Sequence, residues 1–159
     1  MASTRIQLVP LLFLFASCGS GNATAPELTP VGLSDVQGNW TLQVRDTSCG
    51  SIGLITLQVT SVYFDSVPGF PGQYRISSAT WSHTSPALSG VLGGWFPSAV
   101  HSAQGVDLVL SDSTNGSSAE FIGGMSTITT VTGTLMDPYG AKPIFTAGSC
   151  TYQVTGHHG

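Results

Sequence analysis

Three cysteines, Cys18, Cys49 and Cys150, and four histidines, His83, His101, His157 and His158, carry most of the chemical potential of this chain. A thiolate takes an acyl group, a disulfide partner or a metal, and imidazole serves as base or ligand. A zinc site needs three or four convergent ligands. His157 and His158 are neighbours on an end expected to fray, and His83 and His101 fall in Ser-rich stretches, so no metal site is expected. No Gly-x-Ser-x-Gly elbow is present. Asp107 or Glu120 could serve a serine with one of the histidines, yet no spacing sets a base beside a nucleophile. Asp112-Ser113-Thr114-Asn115-Gly116 has the acidic start of a calcium loop but lacks a second acidic ligand and a closing glutamate, and reads as a hairpin turn. The chain is read as non-catalytic, with no metal and no cofactor.

The first cysteine sits in a distinctive leader. Met1 to Arg5 holds one positive side chain, Ile6 to Phe15 is apolar, and Ala16 and Ser17 are small. That is the layout of a secretory signal over residues 1–17. The apolar run falls well short of the roughly 20 residues that span a bilayer. Phe15-Ala16-Ser17-Cys18 resembles the lipobox of bacterial lipoproteins. The resemblance implies that Cys18 becomes an acylated N-terminus held at a membrane of the bacterial cell envelope. Gly19 in place of Asp resembles members passed on to the outer membrane. Several acyl chains, at about 0.8 kcal/mol per buried methylene, make such an anchor stable. The alternative is ordinary cleavage at Ala23-Thr24-Ala25. Residues 18–30, rich in Gly and Ser and ending in Pro26 and Pro30, read as a flexible tether.

Only 8% of the 159 residues are charged, against about 25% in ordinary domains. Hydroxyl side chains and 20 glycines replace them, a composition suited to strands and turns. Beyond the leader the basic residues are Arg45, Arg75 and Lys142, and the net charge is −4. No basic patch exists, which excludes a nucleic-acid partner and an electrostatic grip on anionic lipid.

The remaining residues, 31–159, form one domain. Trp40, Leu42 and Val44 alternate with Thr41, Gln43 and Arg45, predicting a first strand over Gly38–Arg45 after one helical turn at Ser34–Gln37, capped by Ser34. Further strands are predicted over Leu54–Val62, Gln73–Trp81, Ser89–Phe96, Gly105–Ser111, Ala119–Ser126, Thr127–Met136 and Ile144–Val154, with a tail from Gly156. Eight short strands and no long helix indicate an all-β fold, an antiparallel barrel or sandwich. In an exported chain Cys49 and Cys150 are expected to be bonded. The bond needs Cα atoms within about 7 Å. An up-and-down barrel supplies this, because its first and last strands are neighbours. An immunoglobulin-like sandwich also offers Cys49, Trp81 and Cys150 in order, but bridges an inner strand pair over a shorter loop. The eight-stranded up-and-down barrel is therefore expected.

Gly38-Asn39-Trp40 after the helical turn resembles the Gly-x-Trp signature of lipocalins and lipocalin-like bacterial proteins, and the resemblance extends over Val31–Val154. It implies that Trp40 closes a barrel floor and that the barrel presents a cavity to a small apolar ligand. The aromatics Trp40, Trp81, Trp95, Phe96, Phe121 and Tyr152 are the candidate ligand-lining residues, and Trp95-Phe96-Pro97 is the candidate mouth loop or exposed patch. The competing expectation is a filled β core whose outer face or loops contact another envelope protein, as an interaction or inhibitor module.

Overall fold

A computed structural model describes residues 27–45, 49–66, 68, 71–146 and 148–159. The expected signal segment, Cys18 and residues 18–26 of the expected tether lie outside the described residues. The chain forms β1 (Gly38–Arg45), β2 (Gly53–Asp65), β3 (Gln73–His83), β4 (Leu88–Pro97), β5 (Val106–Asp112), β6 (Ser117–Thr127), β7 (Thr130–Asp137) and β8 (Cys150–His158). Each strand pairs antiparallel with the next, and β8 returns to β1, giving a closed up-and-down barrel.

Alternation dictates which side faces in. In β1, Trp40, Leu42 and Val44 are buried while Thr41, Gln43 and Arg45 are exposed. In β2, Ile55, Leu57 and Val59 are buried against exposed Leu54, Thr56, Gln58 and Thr60. A one-residue slip would turn every apolar side chain into water, so register is firmly set. Apolar inside and mostly hydroxyl or amide outside is the reverse of a membrane-spanning barrel, which shows its apolar band to lipid. No helix among the described residues is long and apolar enough to cross a membrane.

One end of the barrel is plugged from the N-terminal side. Thr29 and Pro30, read from sequence as the end of the tether, lie along Ser98–Val100, with Val100 N donating to Thr29 O at 2.8 Å and Val31 N to Ser98 O at 2.9 Å. One helical turn, α1 (Leu33–Val36), follows. Its cap differs from expectation: the Asp35 carboxylate accepts the Gly32 N–H at 2.8 Å, because the cap falls at Gly32, two residues before Ser34. Val36 is fully buried, and its carbonyl accepts the Trp40 indole N–H at 2.9 Å.

The other end is closed by the disulfide and by a folded loop. Cys49 and Cys150 are bonded, with Cα atoms 6.1 Å apart. The β1–β8 ladder ends at Arg45 opposite Gln153, and the two cysteines carry the same seam a few residues further. The last strand departs from the expected Ile144–Val154. Asp137, 1% exposed, accepts the N–H groups of Ile144 at 2.7 Å and Phe145 at 2.8 Å. Those donors are drawn away from a ladder, so β8 starts only at Cys150. It then runs on to His158, where the sequence suggested a frayed tail. His157 pairs with Thr41 on one side and Thr130 on the other. β7 likewise starts late, because Ile128 and Thr129 form a two-residue turn between Thr127 and Thr130.

Candidate functional site

Five of the six candidate aromatics fill the barrel. Trp40, Phe96, Phe121 and Tyr152 are 0% exposed and Trp81 is 1% exposed. Trp40 and Phe96 stack with centroids 5.2 Å apart above the α1 plug. Trp81 lies opposite Gly90, and any side chain at 90 would press on the Trp81 indole and overlap the Ser111 carbonyl. The indole N–H donates to that same carbonyl at 3.2 Å. Gly156 faces inward opposite Leu42; a Cβ there would overlap the Leu42 side chain and come within 2.6 Å of Val131 Cγ2. Side chains of this size suffice to fill an eight-stranded interior. A depression of about 150 Å³ remains at the disulfide end, where Ser51, His83, Ser85 and Thr146 share the lining with Ile52, Phe145 and Tyr152. It is well below the roughly 300 Å³ at which small-molecule sites begin.

The histidines are spread apart. His83, 6% exposed, sits between the carbonyl oxygens of Ile52 (2.7 Å) and Pro86 (2.8 Å). His158 lies at the opposite end against Trp40. His157 faces outward on β8, and His101 takes a positive φ of 57° in a loop. Among the described residues no group of three or more His, Cys, Asp or Glu could hold a metal. Asp112 begins a hairpin turn, accepting from Thr114 N at 2.8 Å and Asn115 Nδ2 at 3.0 Å. Of the Asn-Gly pair only Gly116 takes a positive φ.

Trp95, the sixth aromatic, faces the other way from Phe96 because neighbours along a strand alternate. It lines an open groove of about 410 Å³ on the outer wall, crossing β3 to β6. Strand register builds this groove from two rows. Arg75, Trp95 and Asp107 stand side by side on β3, β4 and β5. Gly93, Val109 and Glu120 form the adjacent row on β4, β5 and β6. Asp107 and Glu120 are thus diagonal neighbours. Gly94 lets the strands close up: it has a φ of 116°, and a Cβ there would overlap the Asp107 carbonyl. Gly93 leaves the floor open, since a Cβ there would meet nothing within 4 Å. Tyr63 and Tyr139 complete the walls.

The charges in this groove are unevenly balanced. Arg75 Nε donates to Asp65 at 2.6 Å and its guanidinium lies 5.6 Å from the Trp95 ring centre. That bond holds the Asp65 carboxyl below its ordinary range. Asp107 is pushed upward by burial. Glu120 is pushed upward by burial and then by the Asp107 charge. Glu120 is only 8% exposed although it sits on the outward side of its strand. Sequence reasoning named Asp107 and Glu120 only as partners for a serine, singled out Tyr63 only with Phe64 as a second candidate exposed patch before Pro68, and missed Arg75, Gly93 and Tyr139. Their signal is the outward parity of each strand, which becomes a site only once register is known. No family model matches the chain, and no curated protein or solved structure matches it either.

Proposed function

We propose that the protein is an exported bacterial envelope lipoprotein, anchored through acylated Cys18, whose lipocalin-like barrel is a solid, non-catalytic scaffold presenting its outer wall to a partner. The lipobox-like Phe15-Ala16-Ser17-Cys18 supports the anchor. A helical turn followed by Trp40 on the floor of an up-and-down barrel supports the lipocalin-like reading. The observation that carries the functional choice is where space remains. Trp40, Trp81, Phe96, Phe121 and Tyr152 occupy the interior, while a groove of about 410 Å³ lies outside, on β3 to β6.

Carriage of a small apolar ligand is the second reading, favoured by the small depression that reaches Tyr152 and Phe145 at the disulfide end. Native mass spectrometry of the protein purified from membranes separates the two. The scaffold reading expects no co-purified adduct beyond the acyl chains on the N-terminal cysteine; a bound lipid-sized molecule would favour carriage. Fractionation of cells expressing Cys18→Ser tests the anchor. Loss of the protein from the membrane fraction is expected, and unchanged partition would defeat it.

A further inference from the structure

We infer that the outer groove is a receptor for a basic side chain, an arginine or lysine presented by a protein partner, with Glu120 and Asp107 as its counter-charges. This rests on the scaffold reading above and names the chemistry of that same surface. Glu120 is more than nine-tenths buried, lines the groove, and has no hydrogen bond or ion pair among the described residues. A carboxylate held mostly out of water without a partner is costly, and a cation entering from the groove compensates it. The chain's own cations do not serve. Arg75 is tied to Asp65 at the far side of Trp95, and Lys142 Nζ reaches Asn115 O. Neither figures among the influences on these groups, which are burial for both and, for Glu120, also the Asp107 charge.

The walls suit an organic cation. Trp95, Tyr63 and Tyr139 offer aromatic faces, and Arg75 over Trp95 shows that this ring accepts a guanidinium. Ile122, paired with Asp107 and 48% exposed, lies at hand for an aliphatic stem. A hard metal fits poorly, because calcium takes six to eight oxygens and no cluster of three ligands forms among the described residues.

The test uses the purified mature protein in detergent micelles, titrated with acetyl-Gly-Arg-Gly-amide, its lysine and glutamine counterparts, and calcium chloride alone, followed by tryptophan fluorescence and calorimetry. The arginine and lysine peptides are expected to bind at least about tenfold more tightly than the glutamine peptide. Glu120→Gln should remove that preference. Gly93→Gln, which extends a side chain into open floor without a clash, should abolish binding while thermal melting stays as in the parent. Affinity should fall on acidification as Glu120 and Asp107 take up protons; Asp65, Arg75, Tyr63 and Tyr139 are the other titratable groups around the groove. Equal binding of the glutamine peptide, binding of calcium alone, or full retention of binding in Glu120→Gln and Asp107→Asn would overturn the inference. None of these outcomes bears on whether a lipid-sized adduct co-purifies with the protein in native mass spectrometry, so failure of this inference and failure of the scaffold reading are distinguishable.

Discussion

Trp40 and His158 meet across the β1–β8 seam, their ring centroids 4.9 Å apart, with His158 Nε2 donating to Gln37 O at 2.8 Å. The second-last residue of the chain thereby holds the floor against which the first strand is built. His158→Ala is expected to destabilise the fold by about 1–3 kcal/mol, leaving a part-buried carbonyl unpaired and removing the ring packed on Trp40. Deleting residues 156–159 should cost more, because it also removes the ladder bonds to Trp40, Thr41 and Leu42. Urea denaturation followed by tryptophan fluorescence measures both.

The disulfide closes a sequence separation of 101 residues. Reduction, or the Cys49→Ser/Cys150→Ser pair, is expected to lower unfolding free energy by about 2–5 kcal/mol. The barrel should remain closed, because the β1–β8 ladder does not pass through the sulfurs. Denaturation midpoints with and without reductant, with far-ultraviolet circular dichroism before unfolding, check the two parts.

Gly156 marks where the interior has no slack. Gly156→Ala is expected to cost about 1–3 kcal/mol through overpacking. Leu42→Val in the same chain should recover part of it, since Leu42 is the nearer of the side chains in the way. A double-mutant cycle reads the coupling, and strict additivity would show that the clash is absorbed elsewhere.

Asp137→Ala should release the loop that its carboxylate organises. The expected loss is about 2–4 kcal/mol for two part-buried backbone donors left unmatched. Hydrogen exchange should accelerate at the amides of Ile144 and Phe145 well beyond the change at β5.

The carboxyl groups set the pH response. Asp107, Glu120 and Asp137 have folded values raised chiefly by burial, so the stability they contribute is complete below the ordinary carboxyl range and is lost as pH rises through the raised values. Asp65, held down by Arg75, and Asp112, held down by the Thr114 amide, act oppositely: their contribution exists above that range and is lost as pH falls through their lowered values. Stability is therefore expected to hold or rise from pH 7 to pH 5 and to fall only in stronger acid. Glu120→Gln should raise the urea midpoint at pH 7, with the gain shrinking on acidification.

Much of the architecture was legible in the residues. Clean alternation in β1 and β5 gave the strands, and the paired cysteines gave the seam. The final strand was misplaced because Asp137 captures two amides from a distance along the chain, which no local pattern announces. The groove was hidden for a related reason. Trp95 and Phe96 looked like one aromatic patch, yet they face opposite sides. Asp107 and Glu120 become neighbours of Trp95 only through cross-strand register, which a single chain read alone does not contain.

The cross-link between residues 49 and 150 also has a mechanical meaning. Tension applied between the two ends of the molecule travels from Cys49 to Cys150 through sulfur and bypasses the hundred-odd residues between them. Only the short outer segments can be drawn out, so most of the polypeptide is shielded from extension however hard the ends are pulled.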